Sequence, residues 1–167
     1  MEKIEQKFVG VWELDEWVVE KPNGDKTFPF SGNVDGFVIA LYLPSNSLRG
    51  ALPSDFGASL SHLQFLNLQD NYITGSLPAS AISSSLRWLV MGDNPLSGSL
   101  PDFSNSEKLL QTISLSGTGL TGPLPSSLSS LAELEIMYLS PSSLQGSLPA
   151  RLFHGLGRLV QLNFGSH

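Results

Sequence analysis

Residues 63–78 read LQFLNLQDNYITGSLP. The apolar residues Leu63, Leu66, Leu68 and Ile73 fall at intervals of three, two and five, and neither a helix nor a strand keeps that rhythm over such a length. Within the stretch, Leu66-Asn67-Leu68 has strand parity: two apolar side chains share one face and the residue between them takes the other. The chain must then turn, and a buried turn strands N–H and C=O groups without partners. Asn71 sits at that corner and offers amide donors as well as an acceptor. Gly75 permits a bend that needs positive φ, and Pro78 sets an extended or helix-starting exit. The stretch therefore spells a short strand, a stapled corner and a second bend.

The spelling recurs. Gly50-Ala51-Leu52-Pro53 is followed by Gly75-Ser76-Leu77-Pro78, Gly98-Ser99-Leu100-Pro101, Gly122-Pro123-Leu124-Pro125 and Gly146-Ser147-Leu148-Pro149, at spacings of 25, 23, 24 and 24 residues. Upstream of each lies L-x-L-x-x-N or a variant: Leu41/Leu43/Asn46, Leu66/Leu68/Asn71, Leu89/Met91/Asn94, Ile113/Leu115/Thr118 and Met137/Leu139/Ser142. A sixth copy begins at Leu162/Phe164. A near-constant period of this kind marks stacked supersecondary units that bury one another's apolar faces. In such a stack Asn46, Asn71 and Asn94 form a ladder that bridges neighbouring backbones. Thr118 and Ser142 stand at the same position with fewer hydrogen-bonding groups, so the C-terminal half is expected to be less firmly stapled. Leu60/Leu63, Leu128/Leu131/Leu134 and Phe153/Leu156/Leu159 are expected to fill the remaining interior.

The pattern resembles the leucine-rich repeat family, and its Leu-x-Gly-x-Leu-Pro ending is similar to the plant-type subclass, over about residues 37–167. The resemblance implies an α/β solenoid: a right-handed coil with a parallel sheet on the concave face and an irregular, 3-10 or short helical convex side. Five near-complete repeats and one truncated repeat are expected. The cysteine pairs that flank extracellular plant-type arrays are absent, since the chain has no Cys. No polar capping sequence follows the sixth copy, so the chain reads as a fragment or as part of a longer array.

The composition breaks before the repeats. Of the 24 charged residues, 11 lie in the first 30 positions. The remaining 137 positions are rich in Leu, Ser, Gly and Pro. Residues 1–36 thus form a separate segment. In FVGVWELDEWVVEKPNGDKTFPF, residues Val11, Trp17 and Val19 share one parity and Trp12, Leu14 and Val18 the other. Pro22-Asn23-Gly24-Asp25 is a turn signal, and Lys26–Phe30 is the expected return strand. This predicts a β-hairpin that caps the first coil. Residues 8–36 also resemble the opening of a lipocalin-like domain, through Gly10-Val11-Trp12, the hairpin with Gly24, Pro29-Phe30 and Gly36. That resemblance implies a small hydrophobic-ligand carrier as an alternative function, although the further barrel strands are missing.

Charge and motif content narrow the function. A net charge of −6 argues against nucleic acid, which selects a basic face. No run of 18 apolar residues occurs, so membrane insertion is not expected. The opening MEKIEQKF lacks the apolar core of a secretory signal, and no Asn-x-Ser/Thr sequon is present. With the absence of Cys, these features favour a reducing, cytoplasmic setting. His62, His154 and His167 have no metal-ligand spacing, and His62 reads as a convex-side surface residue. Glu133-x-Glu135 reads as a solvated pair, Glu13, Asp15 and Glu16 scatter over both faces of the hairpin, and Gly117-Thr118-Gly119 lacks the lysine of a phosphate loop. No catalytic residue, metal site or cofactor is expected.

Recognition is the better prospect. The outward positions of the strands form two columns: Ala40, Phe65, Trp88, Thr112, Ile136, and Tyr42, Asn67, Val90, Ser114, Tyr138. Neighbouring coils lie about 4.8 Å apart, so Phe65 and Trp88 are expected to touch. Aromatic residues on a solvated sheet are enriched at interface hot spots. The expected binding face comprises Tyr42, Phe65, Asn67, Asp70, Trp88, Val90 and Asp93, with a protein or peptide partner and a glycan as a further option. A structural or engineered fragment without its own function is the remaining alternative.

Overall fold

The structure, a computed structural model, describes residues 19–20, 26–27, 30–32, 38–104 and 109–164. Strands β1 (Val19–Glu20) and β2 (Lys26–Thr27) pair antiparallel, with Val19 opposite Thr27 and Glu20 opposite Lys26. The pairing brackets the Pro22–Asp25 turn signal, as expected of a hairpin. Its earlier part, including Trp12, Trp17 and the acidic residues Glu13, Asp15 and Glu16, lies outside the described residues.

The next strand departs from the sequence reading. Phe30, expected to end the hairpin, instead opens β3 (Phe30–Gly32), which pairs antiparallel with β4 (Val38–Tyr42) through a bulge between Ser31 and Gly32. A division at residue 36 therefore cuts between two strands of one sheet. Phe30-Ser31-Gly32 satisfies edge groups of β4 that would otherwise lie unpaired.

From β4 onward the solenoid repeats. The concave sheet runs β4, β6 (Phe65–Asn67), β8 (Trp88–Val90), β9 (Thr112–Ser114), β11 (Ile136–Tyr138) and β13 (Gln161–Asn163), all parallel, with β3 on the outer side of β4. The next-to-last residue of each strand points inward, and Leu41, Leu66, Leu89, Ile113 and Met137 are all buried. Each such side chain contributes about 1.5–3 kcal/mol on burial, and the stack joins them into one continuous core with Leu43, Leu68, Met91, Leu115 and Leu139.

A second row of strands follows the asparagine corner. β5 (Arg49–Ala51) pairs parallel with β7 (Tyr72–Thr74), and β10 (Thr121–Gly122) with β12 (Ser143–Leu144). Gly75 bridges to Leu96 between them. The sequence reading took this segment as a plain turn. Gly75 has φ +76, and its counterparts Gly50, Gly98, Gly122 and Gly146 are also positive, which is the backbone freedom that the Gly of Gly-x-Leu-Pro supplies.

The convex side is built from a one-turn helix at Phe56–Ser59, 3-10 turns at Ala79–Ala81 and Ser126–Ser130, and a second one-turn helix at Leu152–Gly155. Pro78 and Pro125 precede the two 3-10 turns in extended conformation. These turns pack backbone against backbone: a Cβ on Gly57 would fall 1.5 Å from the carbonyl oxygen of Ser80. One interior assignment needs correction. Phe153 is 55% exposed, whereas Leu152 is fully buried and Leu159 only partly so. Leu152 lies one repeat beyond Leu128, and the helix register turns Phe153 outward.

Candidate functional site

The ladder positions show how the face is held in shape. Asn71 Nδ2 donates to Leu43 O (2.8 Å) in the preceding coil and to Leu68 O (2.9 Å) in its own, while its Oδ1 accepts from Leu48 N (3.1 Å). Asn94 repeats the arrangement with Leu68 O (2.8 Å), Met91 O (2.9 Å) and Ile73 N (3.0 Å). Asn46 does not act this way. Among the described residues its amide donates only to Pro44 O (2.9 Å), because its neighbour on the N-terminal side is the antiparallel β3 and not another corner. Thr118 Oγ1 donates to Leu115 O (2.7 Å) within its own coil. Among the described residues no side-chain hydrogen bond joins Ser142 to a neighbour.

Strand register then sets the two outward rows. Ala40, Phe65, Trp88, Thr112, Ile136 and Gln161 stand opposite one another, as do Tyr42, Asn67, Val90, Ser114, Tyr138 and Asn163. Phe65 and Trp88 meet edge to face, with ring centroids 5.3 Å apart and an 86° interplanar angle. Trp88 is 48% and Tyr42 60% exposed, so the described residues of the hairpin segment leave Tyr42 open. Val90 and Asn67 are half-buried. The Asn67 Oδ1 accepts from Gln69 N at 3.1 Å, which ties that side chain to its own backbone. In the C-terminal half the face mixes Thr112 and Ser114 with Ile136 and Tyr138, and the Tyr138 hydroxyl donates to Gln161 Oε1.

Asp70 and Asp93 occupy the bend after the strand. Both are exposed and adopt left-handed backbone, φ 57 and 54, as does Ser45 at the equivalent position (φ 55). Asn and Asp visit this region more readily than other side chains. The bends are stacked through Ser45 N to Gln69 O (2.9 Å), Asp70 N to Gly92 O (3.0 Å) and Asp93 N to Ser116 O (2.7 Å). Gln69 Nε2 donates to Asp93 Oδ2 at 3.1 Å. A groove of about 650 Å³ runs over these bends, lined by Ser45, Asp70, Tyr72, Asp93, Pro95 and Gly117 among others.

Tyr72 was not singled out from the sequence. It is 52% exposed on β7, and the Arg49 guanidinium lies 4.7 Å above its ring centroid. The out-in-out order Tyr72-Ile73-Thr74 was the available signal. The remaining sequence candidates fall away from the face. His62 is exposed beside Ser61 after the first convex helix. Glu133 is not a merely solvated carboxylate, because it pairs with Arg158 of the following coil. Among the described residues no cluster of His, Cys, Asp or Glu could hold a metal ion, and no helix is long and apolar enough to cross a membrane.

Comparison with known proteins agrees with this geometry. Residues 62–82, 85–106 and 109–131 match the Leucine Rich Repeat family model. The leucine-rich-repeat ectodomain of the Arabidopsis thaliana membrane receptor kinase GASSHO1/SCHENGEN3, solved with CASPARIAN STRIP INTEGRITY FACTOR 2, superposes over 97% of this chain at a TM-score of 0.82 and 24% identity. This chain spans 20% of that one. The A. thaliana BIR3–SERK2 complex matches over 89% of this chain and 82% of its own, at a TM-score of 0.71 and 28% identity. The plant peptide hormone receptor RGFR1 in complex with RGF2 matches over 72% and 19%, at 0.67 and 26%. No curated protein matches the chain significantly. The fold is a plant-type leucine-rich-repeat solenoid, and the comparisons do not support a lipocalin-like opening at residues 8–36.

Proposed function

We propose that the chain is a non-enzymatic recognition module that binds a protein or peptide on its concave face. One observation carries the reading: Trp88 stands half-exposed against Phe65, its register partner, on the same sheet face as the exposed Tyr42, and nothing among the described residues covers that face. Large aromatic side chains held rigid by a neighbour lose little entropy on binding and exclude much water. Asn67 and Val90 complete the surface around them, with Asp70 and Asp93 at its rim. The similar RGFR1 structure, solved with a peptide hormone, and the BIR3–SERK2 complex support a protein or peptide over a glycan.

The test is a selection of displayed random peptides on the intact chain, followed by affinity measurement with Trp88→Ala. The selected peptides should lose at least about tenfold in affinity while the melting temperature changes by only a few degrees. Unchanged affinity would remove the concave aromatic cluster from the binding surface.

A further inference from the structure

Resting on that reading, we infer that the partner is an extended peptide carrying an arginine or lysine, whose cationic end lies between Asp70 and Asp93 while a nearby apolar side chain packs on the exposed aromatics. The occupant follows from charge complementarity along one continuous surface. Asp70 and Asp93 hold equivalent places in successive coils, so their stations differ by one coil step, about 4.8 Å. A single guanidinium can donate to both carboxylates across such a gap, whereas two separate cations at that spacing would repel.

The carboxylates are set up for this. Left-handed backbone fixes both bends, the Gln69 amide holds one oxygen of Asp93, and among the described residues neither aspartate enters an ion pair. Among the described residues no cationic side chain lines the groove; Arg49 is directed onto Tyr72. That stacking shows an adjoining ring already accepting a guanidinium.

The sheet supplies the second half of the ligand. Asn67 and Val90 stand three residues before Asp70 and Asp93 in their strands, and the same row ends at the exposed Tyr42. Three extended residues span at most about 10 Å. The peptide therefore needs an apolar or aromatic side chain within roughly three residues of its cation. The C-terminal half of the face lacks the acidic element: Gly117 takes the aspartate's place at the next left-handed bend, although Ile136 and Tyr138 still face outward.

The experiment uses the intact chain and the same displayed random peptides. Peptides enriched by selection should carry Arg or Lys near an apolar residue, and their affinity should fall at least about tenfold between low and high salt. The double variant Asp70→Asn/Asp93→Asn removes the charge with a residue that tolerates left-handed backbone, so folding is retained. It should weaken the peptides at least about tenfold, and Trp88→Ala should do so independently. Binding lost with Trp88→Ala but untouched by the double Asn variant overturns the cationic clamp and leaves the aromatic face standing. Binding indifferent to both variants, or a selection that enriches no peptide, overturns both.

Discussion

The second and third corners of the solenoid and the fourth solve the same problem with different side chains. At Asn71 and Asn94 one amide reaches back to a carbonyl of the previous coil and accepts from that coil's N–H, Leu48 or Ile73. At the fourth corner Thr118 bonds only Leu115 in its own coil. The amide that an asparagine there would have taken, Leu96 N, turns instead to Asn94 O at 2.7 Å. Both kinds of corner leave no buried side-chain polar atom unsatisfied among the described residues. Satisfaction is therefore not the difference. Asparagine ties one coil to the next, whereas threonine closes a coil on itself, and only the first adds to the coupling between repeats on which a solenoid's cooperativity rests.

That contrast is open to direct attack. Asn94→Ala has the largest expected effect, because it strands the Met91 carbonyl and the Ile73 amide, and leaves the Leu68 carbonyl with Asn71 alone, in a site where Asn94 is 1% exposed. At about 1–3 kcal/mol for each buried group left unmade, discounted for relaxation, the loss should be about 3 kcal/mol in urea unfolding. Thr118→Val removes one hydrogen bond and should cost about 1 kcal/mol. A loss at Thr118 equal to that at Asn94 would erase the distinction. The converse variant, Thr118→Asn, should place its amide within reach of the preceding coil and stabilise by about 1 kcal/mol. No gain, or a loss, would show that the fourth corner is shaped for a hydroxyl and cannot take the bridge.

Much of this was legible in the residues. The L-x-L parity fixed which side chains of β4, β6, β8, β9 and β11 face inward, and the same parity lines up Phe65 with Trp88 once neighbouring coils are stacked in register. The ladder was legible at Asn71 and Asn94 but not at Asn46, since its role depends on what precedes it in space. The second row of strands was missed because Arg49–Ala51 and Tyr72–Thr74 are three residues long, too short for alternation to stand out from a turn. Tyr72 went unnoticed with them. Leu152 was misread as Phe153 because spacing by threes cannot fix the register of a single helical turn. The acidic groove was legible only as a row of aspartates, because strand parity says nothing of the left-handed bends that line it together with Tyr72.

The smallest effect concerns the joint between the two halves on the convex side. Asp102, exposed, is held below the ordinary aspartate value by a hydrogen bond from the Ser127 side chain of the next coil, and secondarily by Ser104. Ser127 Oγ also accepts from Phe103 N at 3.0 Å, and the Ser104 N–H and hydroxyl donate to Asp102 Oδ1 at 2.9 and 2.7 Å. A carboxylate whose folded pKa is depressed adds stability that is present above its unfolded pKa and disappears as pH falls through the folded one. Asp102 therefore stabilises the joint at neutral pH and stops doing so in acid, below the ordinary value of 3.8. Asp102→Asn should slightly lower stability at pH 7 and converge with the wild-type chain in strong acid. Exposure to solvent keeps the gap small. Parallel urea titrations from pH 7 downward read it, and a gap that widens in acid would mean that the carboxylate is not the group that ties the third coil to the fourth.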